Sequence, residues 1–173
     1  RILPALNGQS YADTLVVPPP PNEPYVRVIP LGGCGEIGRN MTLFETKDDI
    51  VAVDCGLMFP DEEMYGVDIV INDFSYLRDR RDKLRALLVT HGHEDHIGGI
   101  PYFLREFPRC PIVGTPLTLA LIRAKLKEHK PSELELVRVE PGDTVKYGAF
   151  AAEFIHINHS LAGACALAIR TPL

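Results

Sequence analysis

Val89 to Gly99 reads VTHGHEDHIGG, and it crowds His91, His93, Asp95 and His96 into a few residues directly after an apolar run. Three of the chain's six histidines fall in this stretch. In extended backbone, residues two apart point the same way, so His91 and His93 can converge on one point, with Gly92 leaving room between them. Asp95 and His96 come after the chain turns, where adjacent side chains can flank a second point nearby. Imidazole and carboxylate are the donors zinc prefers, and catalytic zinc sites keep three protein ligands and one open position. The pattern is not HExxH, in which two histidines four apart share a helix face. A lone histidine is usually a surface or capping group; this density at a strand end reads as a metal site.

A third ligand for the first ion has to come from elsewhere, and His129, His156 and His159 are the candidates. His129 falls in the last turn of a predicted helix, where the dipole favours positive charge for structural reasons alone. In EFIHINHS, His156 and Asn158 share one strand face, and Ile155, Ile157 and His159 share the other. His159 also stands at the strand's end, where loops collect functional groups, and it is the choice. Ion one then has three imidazoles. Ion two has only Asp95 and His96, too few for a stable site alone. Two ions a few ångströms apart would clamp a phosphate and activate a water between them.

Around this stretch the chain is an ordinary globular one. Its 173 residues suffice for a core, with 46% hydrophobic and 24% charged residues. No apolar run reaches membrane-spanning length. The start, RILPALNGQSYADTLVV, has neither the charged-then-apolar order nor the cleavage site of a secretory leader; without an initiator Met it reads as a trimmed or partly ordered terminus. The net charge of -5 is not that of a free-standing nucleic-acid binder; if the protein handles RNA or DNA, metals or another region must supply most of the positive charge. Four scattered cysteines, Cys34, Cys55, Cys110 and Cys165, form no CxxC pair. They read as reduced core thiols, which points to the cytoplasm.

Residues 1–24 read as an N-terminal arm ending in the proline-rich connector VVPPPPNEP, a spacer rather than an SH3-type ligand. The domain proper covers 25–173. YVRVIPL alternates as a strand, and NMTLFETKDDIVAVDCG reads as two strands joined at Asp48-Asp49. DFSYLRDRRDKLRA is predicted helical with Asp73 as N-cap, ahead of a buried strand LLVT. Its Arg78, Arg80, Arg81, Lys83 and Arg85 alternate with Asp79 and Asp82, the pattern of a solvated face rather than an RNA-binding one. GIPYFLREFP is a short helix. TPLTLALIRAKLKEHKP is a longer one, with Thr115 as cap, Pro116 in its first turn and Pro131 as stop. ELELVRV, DTVKYG and AFAAEFIHIN are strands. Runs of strands with inserted helices predict sheets faced by helices rather than a regular βαβ repeat.

GCGEIG (Gly33–Gly38) matches GxGxxG, and Asp54 lies about 20 residues on, as a dinucleotide site wants. The segment between, RNMTLFETKDD, is β-branched and alternating and leaves no room for a crossover helix. A glycine loop between strands is the better reading, and such a loop can still border an active site.

The longer motifs carry a resemblance. HGHEDH is the HxHxDH signature of the metallo-β-lactamase superfamily. IPLGGCGEIGRNM, VDCGLMFPDEEMYGVDIVINDFSYL and THGHEDHIGGIPYFL resemble the bacterial ribonuclease J family of the β-CASP group, over essentially everything from Val26 onward. The resemblance implies an α/β fold, the N-terminal part of a metallo-β-lactamase αββα sandwich. It implies that His91, His93 and His159 hold one zinc and Asp95 and His96 the other, with manganese the alternative metal. Asp54 corresponds to the family's early aspartate, bracing the histidine loop; read on its own, it is as readily a turn former. Asp95 doubles as the catalytic group that orients the attacking water or takes its proton. The implied activity is 5′-to-3′ exonuclease and endonuclease cleavage of RNA in processing and decay, by homodimers or homotetramers. Where the family continues with a sequence like HSIPDS, this chain has HSLAGAC. The family's bridging aspartate, last histidine, β-CASP insertion and C-terminal domain are expected beyond Leu173, so the fragment alone is expected to be inactive. Two other readings share the histidine cluster: a thioester or lactam hydrolase of the same fold, and a non-catalytic, metal-stabilised binding module.

Overall fold

The computed structural model describes residues 23–129, 131 and 133–173. The N-terminal arm and all but the last two residues of the proline-rich connector lie outside these. Six strands form the main sheet, in the order β1 (Arg27–Gly32), β2 (Met41–Glu45), β3 (Ile50–Val53), β6 (Leu84–Leu88), β7 (Ile112–Gly114) and β8 (Leu136–Arg138). β2 pairs antiparallel with both β1 and β3, while β3, β6, β7 and β8 run parallel to one another. Two short strands, β4 (Leu57–Met58) and β5 (Val70–Ile71), make a separate antiparallel pair. A second sheet holds β9 (Thr144–Tyr147), β10 (Phe150–His156) and β11 (Cys165–Arg170), with β10 in the middle.

Alternation along the central strands builds two cores from one sheet. Ile50 and Ala52 of β3, Leu87 of β6 and Ile112 of β7 face the helices, packing with Phe74, Leu77, Ile100, Phe103 and Ile122. Val51, Ala86, Leu88 and Val113 point the other way, onto Phe150, Ala152 and Phe154 of the second sheet. Central parallel strands are buried on both faces, which is why IVAV and ALL read as unbroken apolar runs. Among the described residues the helices are α1 (Ser75–Arg78), α2 (Glu94–Ile97), α3 (Ile100–Glu106) and α4 (Pro116–Leu126). All four contribute side chains to the helix-side core.

The long helix predicted over DFSYLRDRRDKLRA is not formed. α1 is one turn, a 3-10 turn follows at Arg81–Lys83, and β6 already starts at Leu84. Phe74, Tyr76 and Leu77 bury the first turn. The next six residues, RDRRDK, offer no apolar side chain to continue a buried stripe, and Leu84 onward pairs with β3 instead. Asp73 accepts the Ser75 N–H at 2.9 Å, one residue before the helix boundary at Phe74. α4 starts at Pro116 as read, with Thr115 at the cap position, but the Thr115 hydroxyl makes no capping bond. It donates instead to the Gly163 carbonyl at 2.8 Å. From β6 to β8 the chain does alternate strand and helix with parallel strands, more βαβ-like than the sequence pattern implies.

The GxGxxG stretch is a loop joining antiparallel β1 and β2, with no helix at its third glycine. Gly33, Gly35 and Gly38 all take positive φ, the backbone freedom for which glycine is used.

Candidate metal centre

The site lies beyond the carboxyl ends of the parallel strands. Asp54 follows β3, Thr90 and His91 follow β6, and Thr115 follows β7. In sheets of this kind that is where ligands bind. His91 and His93 sit on the extended segment before α2, with His93 at the α2 cap position. Asp95 and His96 occupy α2 itself. His159 arrives from the loop between β10 and β11. Ile157 N–H donates to the Ala164 carbonyl at 3.2 Å, closing that loop, and Cys165 N–H donates to the Thr90 carbonyl at 3.0 Å, docking it beside His91.

Three imidazole nitrogens converge. His91 Nε2 and His93 Nδ1 are 3.0 Å apart, and His159 Nε2 lies 3.1 Å from each. Bonds of about 2.0–2.1 Å to a tetrahedral zinc place ligand atoms roughly 3.3 Å from one another, so this triangle closely matches one face of such a site. His156, exposed at the end of β10, and His129, beside Arg105 and Tyr102, are not in the cluster.

The outer ring nitrogens explain why the inner ones offer lone pairs. Thr90 Oγ1 donates to Asp54 Oδ2 at 2.8 Å, so it accepts from His91 Nδ1–H at 2.9 Å. His93 Nε2 meets Ser160 Oγ at 3.1 Å; with its hydrogen there, His93 turns the Nδ1 lone pair inward. His96 Nδ1–H donates to Asp54 Oδ2 at 2.7 Å, which puts the ring's lone pair on Nε2, 3.4 Å from Asp95 Oδ2 and 3.3 Å from Asn40 Nδ2. A ring nitrogen's partner fixing the tautomer is the usual device at metal sites. The donor set fits a divalent metal ion in kind and spacing.

Asp54 is the hub of this scaffold. It is buried and adopts φ +58°, a left-handed conformation unusual outside glycine. Its Oδ1 accepts the Thr90 N–H at 2.8 Å. One carboxylate therefore reaches His96 directly and His91 through Thr90. The ring environments differ accordingly. Burial, then the neighbouring His96, lowers the His91 pKa to about 4 against the pull of Asp54, so His91 is neutral at physiological pH. Burial also acts to lower His96, but the hydrogen bond and charge of Asp54, with Asp95, outweigh it and leave that pKa raised.

Three residues at the site carry no motif signal: Asn40, Thr90 and Ser160. Thr90 and Ser160 are sequence neighbours of His91 and His159, and that adjacency is their only hint. Asn40 donates through Nδ2 to both the carbonyl and the carboxylate of Asp95. Only its place after the glycine loop hinted at it.

The family model of the metallo-beta-lactamase superfamily matches residues 34–160. Ribonuclease J of Mycolicibacterium smegmatis is 45% identical over 157 residues, covering 90% of this chain and 28% of that protein. Ribonuclease J of Synechocystis is 47% identical over 150 residues, covering 86% of this chain and 23% of that protein. This chain thus spans about a quarter of the length of those relatives. Among solved structures, a diphosphatase of the PhnP family superposes with TM-score 0.57 at 18% identity, over 83% of this chain and 61% of that one. A B3 metallo-beta-lactamase superposes with TM-score 0.54 at 18% identity, over 81% of this chain and 53% of that one. At such identities the two structures speak for the fold. The matched family model spans β2 to β10 and the whole imidazole cluster, and the chain belongs to the metallo-β-lactamase superfamily.

Proposed function

We propose that this chain supplies the metal-binding core of a ribonuclease that hydrolyses RNA phosphodiester bonds, acting as a 5′-to-3′ exonuclease and endonuclease with two zinc ions. Similarity to ribonuclease J proteins across most of the chain supports the substrate class. The observation that carries the metal reading is the convergence of His91, His93 and His159. In this reading those three hold one ion, while Asp95 and His96 contribute to a second that takes its remaining ligands from outside 1–173. A nitrogen-rich donor set favours zinc over manganese, which prefers oxygen. When bound, the metal supplies Lewis acidity, activating water near neutral pH and offsetting charge that builds on the phosphate oxygens.

The protein's own groups do the positioning. Asp54 and Ser160 hold the rings in their ligating tautomers. Asp95, with its side chain partly exposed beside the triad, orients the attacking water or takes its proton. Neutral His91 carries no charge that would repel a cation. A backbone phosphate is the only strongly charged part of RNA, and the cations answer it in a chain whose own net charge is -5. The test is His93→Ala in the full-length protein: RNA cleavage should be abolished with far-UV circular dichroism unchanged. Retained turnover in that variant would refute the mechanism.

A further inference from the structure

Resting on the two-cation reading above, we propose that Asn40 is a positioning residue that sets the geometry of the second cation site, Asp95 and His96. Asn40 N–H donates to the Asp95 carbonyl at 2.9 Å, and Asn40 Nδ2 donates to that same carbonyl at 3.1 Å. Nδ2 also donates to Asp95 Oδ2 at 3.0 Å. Which end of the amide faces Asp95 is fixed by chemistry, since both partners there are acceptors and only the nitrogen carries hydrogens. The Asn40 carbonyl in turn accepts the Gly56 N–H at 3.0 Å. One residue therefore ties the strand that follows the glycine loop, the end of β3 and the first turn of α2 together.

The consequence is directional. His96 Nε2 offers its lone pair because Asp54 engages Nδ1, and Asn40 Nδ2 stands 3.3 Å from that lone pair. The amide holds the Asp95 carboxylate in the rotamer that turns Oδ2 toward His96 Nε2, 3.4 Å away. Without the amide, Asp95 keeps its backbone anchor but its carboxylate is free to swing. The triad of His91, His93 and His159 makes no hydrogen bond to Asn40, so loss of the amide should be felt at the second site and not the first.

The experiment is a cobalt(II) titration of the metal-free full-length protein, wild type against Asn40→Ala and Asn40→Ser, followed by visible absorption and calorimetry. Both variants retain the backbone bonds to Asp95 and Gly56, and far-UV circular dichroism checks folding; Asn40→Ser keeps a polar side chain too short to reach Asp95 Oδ2. The first equivalent should bind as in wild type. The second should weaken by about 10–100-fold, the usual effect of losing a group that orients a metal ligand. Equal second-site affinity in wild type and both variants would overturn the Asn40 assignment alone. A wild type that takes up a single equivalent would overturn the two-cation reading and the assignment with it.

Discussion

Gly56 packs directly against the backbone carbonyl of Asp95, with no space for a β-carbon between them. That carbonyl also receives both Asn40 donors, so the end of β3 and the first turn of α2 are in backbone contact at the metal centre. Gly56→Ala forces backbone against backbone, which no rotamer change can relieve. Overpacking of this kind costs about 1–3 kcal/mol. Urea unfolding should show that loss together with weaker cation binding; an unchanged midpoint would contradict the contact.

Asp54→Asn places an amide where a carboxylate now accepts from Thr90 and from His96 Nδ1. An amide has one acceptor atom and one donor atom, so it cannot satisfy Thr90 N–H, Thr90 O–H and His96 Nδ1–H together. His96 is then released to its other tautomer. Cation affinity, measured by competition with a chelator, should fall about 10–100-fold. Full affinity would reduce Asp54 to a turn former.

Glu45 is buried on the far part of the sheet and has no part in the metal centre. It accepts the Tyr76 hydroxyl at 2.5 Å and lies 3.6 Å from Arg27 and 3.5 Å from Arg80. Removing one member of a buried ion pair costs 3–5 kcal/mol; both guanidiniums reach solvent here, so Glu45→Ala should cost about 3 kcal/mol. Cation binding should be untouched. A loss under 1 kcal/mol by urea unfolding would sink this account of Glu45.

Cys55, Cys110 and Cys165 are buried, and Cys34 is exposed in the glycine loop. Burial raises all three core thiols, Cys110 to about 12, so none forms appreciable thiolate at pH 8. A disulfide reagent at that pH should titrate one thiol rapidly in the folded protein and four after unfolding. Rapid reaction of a second thiol in the folded state would contradict the core assignment.

Much of the site could be read before the fold because its signals are short-range. His91 and His93 share a direction through strand periodicity, and HxHxDH needs only one local segment. Strand alternation favours His159 over His156, yet β10 ends at His156 and the loop delivers His159. The loop's docking through Thr90 and Thr115 decides the matter. Asn40 was illegible, since it acts 55 residues away in sequence and an asparagine after a glycine loop looks like a turn former. The same limit applies to the fold. The apolar strands β3 and β6 were plain, whereas three-residue β7 and two-residue β4 and β5 carry no usable periodicity. The charged run after Leu77 imitates a helix because charge alternation looks like a solvated face, yet no buried stripe is there to hold it.

The central claim is that the histidine-rich bend after β6 and His159 together grip a divalent cation. Anomalous diffraction at the zinc edge, from crystals of the full-length protein grown with zinc, tests it most directly. The account requires a peak within bonding distance, about 2.0–2.1 Å, of His91 Nε2, His93 Nδ1 and His159 Nε2. A map with no peak among those three nitrogens would contradict it.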